Sequence, residues 1–297
     1  MTVGWPDYLT TREAAAYLRV KERRIYEMVR QRRIPCTRVT GKWLFPRALI
    51  DRWLAAHLEG EPVATDAPPP VIAGSHDPLL EWAVGESGCE LALKGGGSLA
   101  GLDRLAEGEA AVAAAHVLDP ETGAYNVPGV RARPGLRDVV VLTWAWRRQG
   151  LVLPAGNPDG VGELADLAHT GVAVAQRQQH AGSRILFAHL LAEAGLSPEA
   201  LTCAPETVQT ELDVGLAVLG GRARAGMAVA AVAHSLNLGF VPLAWERFDL
   251  VAGRREVFEP PMQRLLAFTH GAAFAAKAGA LGGYDVSELG RVQYNAP

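Results

Sequence analysis

Cysteine is scarce in this chain of 297 residues. Cys36, Cys89 and Cys203 are scattered, odd in number and without metal-ligand spacing, which argues against a disulfide framework and suits a reducing cytoplasm. No run of eighteen or more apolar residues occurs, so neither a transmembrane helix nor a membrane partner is expected. The opening Trp5-Pro6-Asp7 lacks the basic-then-apolar order of a signal peptide, and the expected location is the cytoplasm. Catalytic signatures are missing as well: there is no G-x-S-x-G elbow, no P-loop lysine motif and no H-E-x-x-H. Gly95-Gly96-Gly97 follows a strand-like piece but lacks the G-x-G-x-x-G spacing of a dinucleotide site. His116, His169, His180, His189, His234 and His270 are dispersed without metal spacing, so no metal site and no covalent cofactor are expected.

What is present begins at the N-terminus. Leu9-Thr10-Thr11-Arg12-Glu13-Ala14-Ala15-Ala16-Tyr17-Leu18 and Val20 to Val29 are two short helical patterns with a tight break between them. Thr10 or Thr11 can cap the first helix, with Glu13 at capping-box distance from Thr10. A strand-like piece from Cys36 to Val39 turns at Thr40-Gly41-Lys42 and returns through Trp43-Leu44-Phe45. Pro46 then opens another helix through Leu54. A helix pair followed by a small β-wing places one helix in the DNA major groove and a loop on the backbone. Charge supports that reading. Residues 1–57 hold twelve Lys and Arg against five Asp and Glu, a formal +7, which leaves −10 on the remainder of a chain whose total is −3.

These residues resemble the excisionase-type (MerR-like) winged helix-turn-helix family over about residues 8–57. The resemblance implies double-stranded DNA as a partner. Lys21, Arg23, Arg24, Tyr26 and Arg30 would approach bases or phosphates, and Arg38, Lys42 and Trp43 would form the wing; Trp43 can equally anchor a core beneath it.

Organisation follows from composition. With 49% of residues apolar a sizeable core is available, and the length allows a small domain and a larger one. Residues 1–57 read as the DNA-binding domain, 58–70, ending in Pro68-Pro69-Pro70, as a proline-rich linker, and 71–297 as a larger α/β body. In the body, Val71-Ile72-Ala73-Gly74 leads through Ser75-His76-Asp77-Pro78 into a helix; Leu91-Ala92-Leu93 leads through Gly95-Gly96-Gly97-Ser98 into another; and Val172-Ala173-Val174-Ala175 leads through Gln176 to Arg184 into a third. Each strand ends in a Gly/Ser-rich turn opening a helix, where free backbone N–H groups and the helix dipole favour an anion.

These turns, together with Leu118 to Pro128, Arg147 to Pro158 and Phe240 to Val251, resemble the periplasmic-binding-protein-like domain found fused to bacterial transcription factors and molybdenum-cofactor proteins. The resemblance covers about residues 71–252 and implies a two-lobed, type II α/β fold related to molybdate- and tungstate-binding proteins. Three departures stand out. The family's NRQxGSGTR is Gln176-Arg177-Gln178-Gln179-His180-Ala181-Gly182-Ser183-Arg184; its ETH is Gln209-Thr210-Glu211, with no histidine; and an Ala-Asp after the GG pair is replaced within Arg222-Ala223-Arg224-Ala225.

The resemblance nominates Ser75, His76, Asp77, Ser98, Asn126, Arg147, Arg177, Gln178, Gly182, Ser183, Arg184 and Glu246 for the cleft. Ser75 and Ser98 read as hydroxyl donors to an oxyanion or as plain N-caps, and Asp77-Pro78 as a helix start. Arg147, Arg177 and Arg184 offer forked donors for a larger anion such as a pterin phosphate. The expected protein is a one-component regulator and a homo-oligomer, its DNA affinity set by an anionic small molecule: molybdate, tungstate or a molybdenum-cofactor-like ligand. A molybdenum-cofactor enzyme or carrier, and an architectural or recombination DNA binder whose body only oligomerises, are the alternatives.

Overall fold

The computed structural model describes residues 5–38, 41–57 and 67–296 and divides into two compact units, residues 1–66 (with 297) and 67–296. Val39 of the expected wing strand, Thr40 of its expected turn, and residues 58–66 of the expected linker lie outside the described residues.

The first unit runs β1 (Tyr8–Thr10), α1 (Thr11–Tyr17), α2 (Glu22–Arg30), β2 (Leu44–Pro46) and α3 (Arg47–Ala56). The capping box forms: the Thr10 side chain accepts from the Glu13 N–H, and the Glu13 carboxylate takes the Thr10 N–H at 2.8 Å. Leu9, Ala14, Ala15, Ile25, Ile34, Phe45 and Ile50 close a small core. Thr37 and Leu44 exchange two backbone hydrogen bonds at the base of the wing. The pairing of β2 with β1 has no counterpart in the sequence reading. It ties the returning wing strand to the residues that enter α1.

The second unit runs β3 (Val71–Gly74), α4 (Pro78–Ser87), β4 (Ala92–Gly95), α5 (Ser98–Ala106), β5 (Val112–Ala115), α6 (Val127–Arg131), β6 (Val139–Leu153), α7 (Leu164–Thr170), β7 (Val174–Arg177), α8 (Gly182–Glu193), β8 (Cys203–Val208), α9 (Glu211–Leu219), β9 (Ala225–Val229), α10 (Ala230–Ser235), β10 (Gly239–Gly253), α11 (Arg254–Phe258), α12 (Pro260–Thr269), α13 (Ala272–Leu281), β11 (Tyr284–Asp285) and β12 (Val292–Asn295). One sheet, in the order β4-β3-β5-β10-β6-β9-β7-β8, passes through both lobes. β4, β3 and β5 are mutually parallel in the first lobe, and β8, β7 and β9 in the second. The antiparallel pair β6 and β10, fifteen residues each, joins them. Near-continuous apolar stretches make these strands: Val139 to Ala145 is buried throughout, as a strand covered on both faces must be. Helices α12 and α13, with β11 and β12, complete the first lobe, where Met262, Leu265 and Phe274 join the core around Leu79, Trp144 and Phe248.

Candidate functional site

The parallel strands of each lobe point their carboxyl ends at one cleft, the place where open α/β sheets bind ligands. Ser75 follows β3, Ser98 opens α5 after β4, and His116 follows β5. Arg177 ends β7, Gly182 and Ser183 open α8, and Glu211 opens α9 after β8.

On the first lobe, Ser75 Oγ and Ser98 Oγ lie 2.7 Å apart, and Ser98 Oγ also accepts the His116 N–H at 3.2 Å. On the second, Arg177 is 8% exposed and Ser183 1%. Among the described residues, the Arg177 Nε and Nη1 and the Ser183 hydroxyl are buried with no hydrogen-bond partner. Burial, opposed by Glu211 and Asp213, pushes the Arg177 guanidinium below its ordinary value. Buried donors left without an acceptor are costly. Arg184 donates from Nη1 to the Arg177 carbonyl at 2.6 Å, fixing the end of β7.

The two lobes meet beside these groups. A Cβ on Gly97 would stand 3.0 Å from the Gln178 amide nitrogen and 3.1 Å from the His180 carbonyl oxygen; on Gly182 it would stand 2.6 Å from the His116 carbonyl oxygen. Glycine is required at 182 for this approach, and Gln178 is a contact between lobes.

Below the cleft lies a layer of buried charge on the two long strands. Arg147 is fully buried, stacks 4.3 Å above Phe248 and donates to Asp77 at 3.1 Å and to Glu246. Glu246 also accepts from Gln149 at 2.7 Å and pairs with His116 Nδ1 at 2.8 Å. Gln149 Nε2 reaches both Glu211 oxygens at 3.1 Å, and Glu211 Oε2 takes the Val229 N–H at 2.8 Å. Burial alone would raise the Glu246 carboxyl, but Arg147, His116 and the Gln149 hydrogen bond hold it down at about 2. The same carboxylates outweigh burial on Arg147 and raise its pKa. A second buried pair sits alongside: Asp249 accepts from Arg247 at 2.9 Å and Asn126 at 2.8 Å, yet burial prevails and lifts it to about 6.

This layer corrects part of the sequence reading. Asp77 caps α4 at Leu80 and takes donors from Trp144, Arg147 and Tyr284, which leaves nothing for a ligand. Asn126 spends its amide on the Val117 N–H, the Ala115 carbonyl and Asp249. Arg147 and Glu246 neutralise each other instead of facing a ligand. His76 is half exposed and held by Glu81 at 2.7 Å, beside a small cavity lined by Ser75, Lys94 and Gly95. Ser75, Ser98, Arg177, Gln178, Gly182 and Ser183 are brought together; His116, Gln149 and Glu211 join them unforeseen. His116, Glu211 and Glu246 place donor atoms within 4.8 Å of one another, a spacing a metal ion can bridge. Their oxygens already accept from Arg147 and Gln149, so the guanidinium supplies the positive charge there.

In the first unit, Lys21 at the N-cap of α2 and Arg23, Arg24, Tyr26 and Arg30 on the helix are exposed, and the wing exposes Arg38 and Lys42. Glu27 lies 3.4 Å from Arg23 and 3.2 Å from Arg24. Trp43 is half-buried against the small core with Arg38 stacked on it at 5.4 Å, so it anchors the wing from beneath.

Comparison with known proteins agrees with both halves. The Bacillus subtilis (strain 168) uncharacterized protein YvgK is 23% identical over 302 residues, covering 95% of this chain and 96% of its own. A proposed phosphate ABC-transporter substrate-binding protein from Clostridium perfringens, solved with bound phosphate, superposes with TM-score 0.54 at 14% identity over 75% of this chain and 99% of its own. L-phospholactate-bound PEB3 gives 0.51 at 12%, over 72% and 98%. Among the described residues no helix is long and apolar enough to cross a membrane. Residues 8–58 match the helix-turn-helix domain and residues 81–270 the PBP superfamily domain, and the chain belongs to the PBP superfamily with an excisionase-like helix-turn-helix at its N-terminus.

Proposed function

We propose that this protein is a non-enzymatic, ligand-responsive DNA-binding regulator whose cleft closes on a small oxyanion. One observation carries the reading: the donors of Arg177, at the end of β7, and of Ser183, at the start of α8, are buried without a hydrogen-bond partner among the described residues, in the lobe opposite the Ser75–Ser98 hydroxyl pair. Charge-assisted bonds to an anion are worth roughly twice neutral ones, and closing the lobes brings both sets of donors to one ligand. That two fold neighbours carry phosphate and L-phospholactate supports an oxyanion. Molybdate and tungstate, the ligands implied by resemblance, belong to the same chemistry. The exposed basic residues of α2 and the wing supply the DNA contact. A homo-oligomer would present two such heads to a symmetric operator.

The test is binding of the full chain to its own promoter DNA, followed by fluorescence anisotropy, with and without millimolar phosphate, sulfate, molybdate or tungstate. An anion should change DNA affinity in the native protein and leave an Arg177→Met variant unchanged. DNA binding that no oxyanion alters would sink the regulatory reading.

A further inference from the structure

A helix on a protein surface ordinarily turns polar side chains to water, and α4 does so with Glu81 and Glu86. Helix α9 does not. Its Val214, Ala217 and Val218 enter a core of the second lobe, and the residues it exposes are Leu212, Leu216 and Leu219, at 48%, 40% and 56%. Spacings of four and three set these leucines in one line along the helix. A cavity of about 150 Å³ adjoins α9 and β8, lined by Ala175, Ala204, Val208 and Ala217 together with Glu206 and Arg222. An apolar stripe beside an unfilled apolar cavity marks a surface that another molecule covers.

We propose that α9 is the contact between two copies of this chain, packed antiparallel across a two-fold axis at Leu216. The stripe is its own complement under that symmetry. With Leu216 against its counterpart, Leu212 of one copy, four residues before the axis, meets Leu219 of the other, three residues after it. The charges match as well. Asp213 lies in the first turn of α9 and Arg222 just beyond its last residue, so an antiparallel pair sets the acid of each copy toward the base of the other, with the helix dipoles opposed. Arg222 holds Glu206 at 3.3 Å, a pair exposed enough to exchange partners at little cost. Joining through the adjacent sheet edge is disfavoured: β8 ends the sheet, but Pro205 in its middle lacks an N–H and blunts strand addition. This contact is the surface of the homo-oligomer proposed above, and it is independent of the anion in the cleft.

Sedimentation of the full chain at micromolar concentrations should give twice the mass of one chain. Leu216→Glu puts a carboxylate from each copy at the axis and should raise the dimer dissociation constant by roughly a hundredfold or more, whereas Leu216→Met, of similar volume, should keep the dimer. Because Leu216 is exposed, the Leu216→Glu monomer should retain the native circular dichroism and bind an oxyanion as the native chain does. Oxidation locates the axis. With Cys36→Ser and Cys203→Ser in the background, Leu216→Cys should cross-link to a covalent dimer, since a residue on the axis meets its own copy within disulfide reach. Leu212→Cys and Leu219→Cys should cross-link when the two variants are mixed and not singly. A native chain that stays monomeric overturns the proposal and leaves the oxyanion cleft standing, and a dimer that survives Leu216→Glu overturns it equally. If Leu216→Glu does not fold, cross-linking through Leu216→Cys decides. A dimer that binds no oxyanion at millimolar concentration refutes the cleft reading alone.

Discussion

Arg177 Nε and Nη1 are buried without a hydrogen-bond partner among the described residues, and a stability cost follows that a bound anion would remove. Arg177→Met should keep the apolar stem, discard the buried cation and raise the melting temperature of the unliganded protein. The same change should weaken anion binding by about 1.5–3 kcal/mol, the scale of a hydrogen bond to a charged group. Thermal melts and calorimetry on one preparation check both signs, and a variant that melts lower while binding normally contradicts the assignment. Glu246 and Asp249 predict opposite pH responses. Glu246 is held at about 2, below its ordinary 4.5, so its contribution is complete above about pH 4.5 and is lost as the pH falls toward 2. Asp249 is raised to about 6 from 3.8, so it destabilises the fold as the pH climbs from about 4 to 6. Denaturant titrations from pH 3 to 7 should show Asp249→Asn losing the decline between pH 4 and 6 that the native protein shows.

At the scale of elements, α2 and the cleft turns make separate claims. Arg23 is 91% exposed, and Glu27 pairs with both Arg23 and Arg24. Replacing both arginines with alanine should cost roughly 2–6 kcal/mol of DNA binding and lower the salt slope by about 2. Glu27→Gln should tighten binding by less than about 1 kcal/mol, since exposed ion pairs are weak. Gel shifts across a salt series measure all three quantities. For the cleft, Gly182→Ala should cost about 1–3 kcal/mol of stability, or hold the lobes apart and weaken anion binding, because its Cβ would meet the His116 carbonyl at 2.6 Å.

These elements also show what was legible in the sequence. The Thr10 capping box, the α1–α2 break and the Ser75, Ser98 and Ser183 turns are local signals, written within a few residues, and the structure forms them all. Arg147 and Glu246 were singled out, but their burial comes from pairing across β6 and β10 at a separation of 99 residues, which no local pattern encodes. His116 and Glu211 were missed for the same reason: each is one residue at a strand end, made meaningful only when two lobes fold over it. The departure at Gln209-Thr210-Glu211 was visible as an oddity, and its chemistry appears only beside Arg177 and Gln149.

For the whole molecule, each unit encloses its own core, so residues 67–297 expressed alone should unfold in one cooperative transition and still bind the anion. At a hundred times its dissociation constant the ligand should add about 2.7 kcal/mol, which for a unit of this size raises the melting temperature by roughly 5–11 °C. A shift confined to residues 1–66 would contradict the placement of the site. The path of the chain through β6 and β10 has one more consequence. Both ends of the larger unit belong to the first lobe, and the chain crosses to the second lobe once, along β6, and returns once, along β10. The second lobe is therefore an uninterrupted cassette between two strands, carrying Arg177 and Ser183 together. A single recombination spanning it would exchange half of the ligand's contacts in one genetic event while the serine pair, the hinge and the DNA-binding head stay as they are, so this architecture can change what it senses without relearning what it regulates.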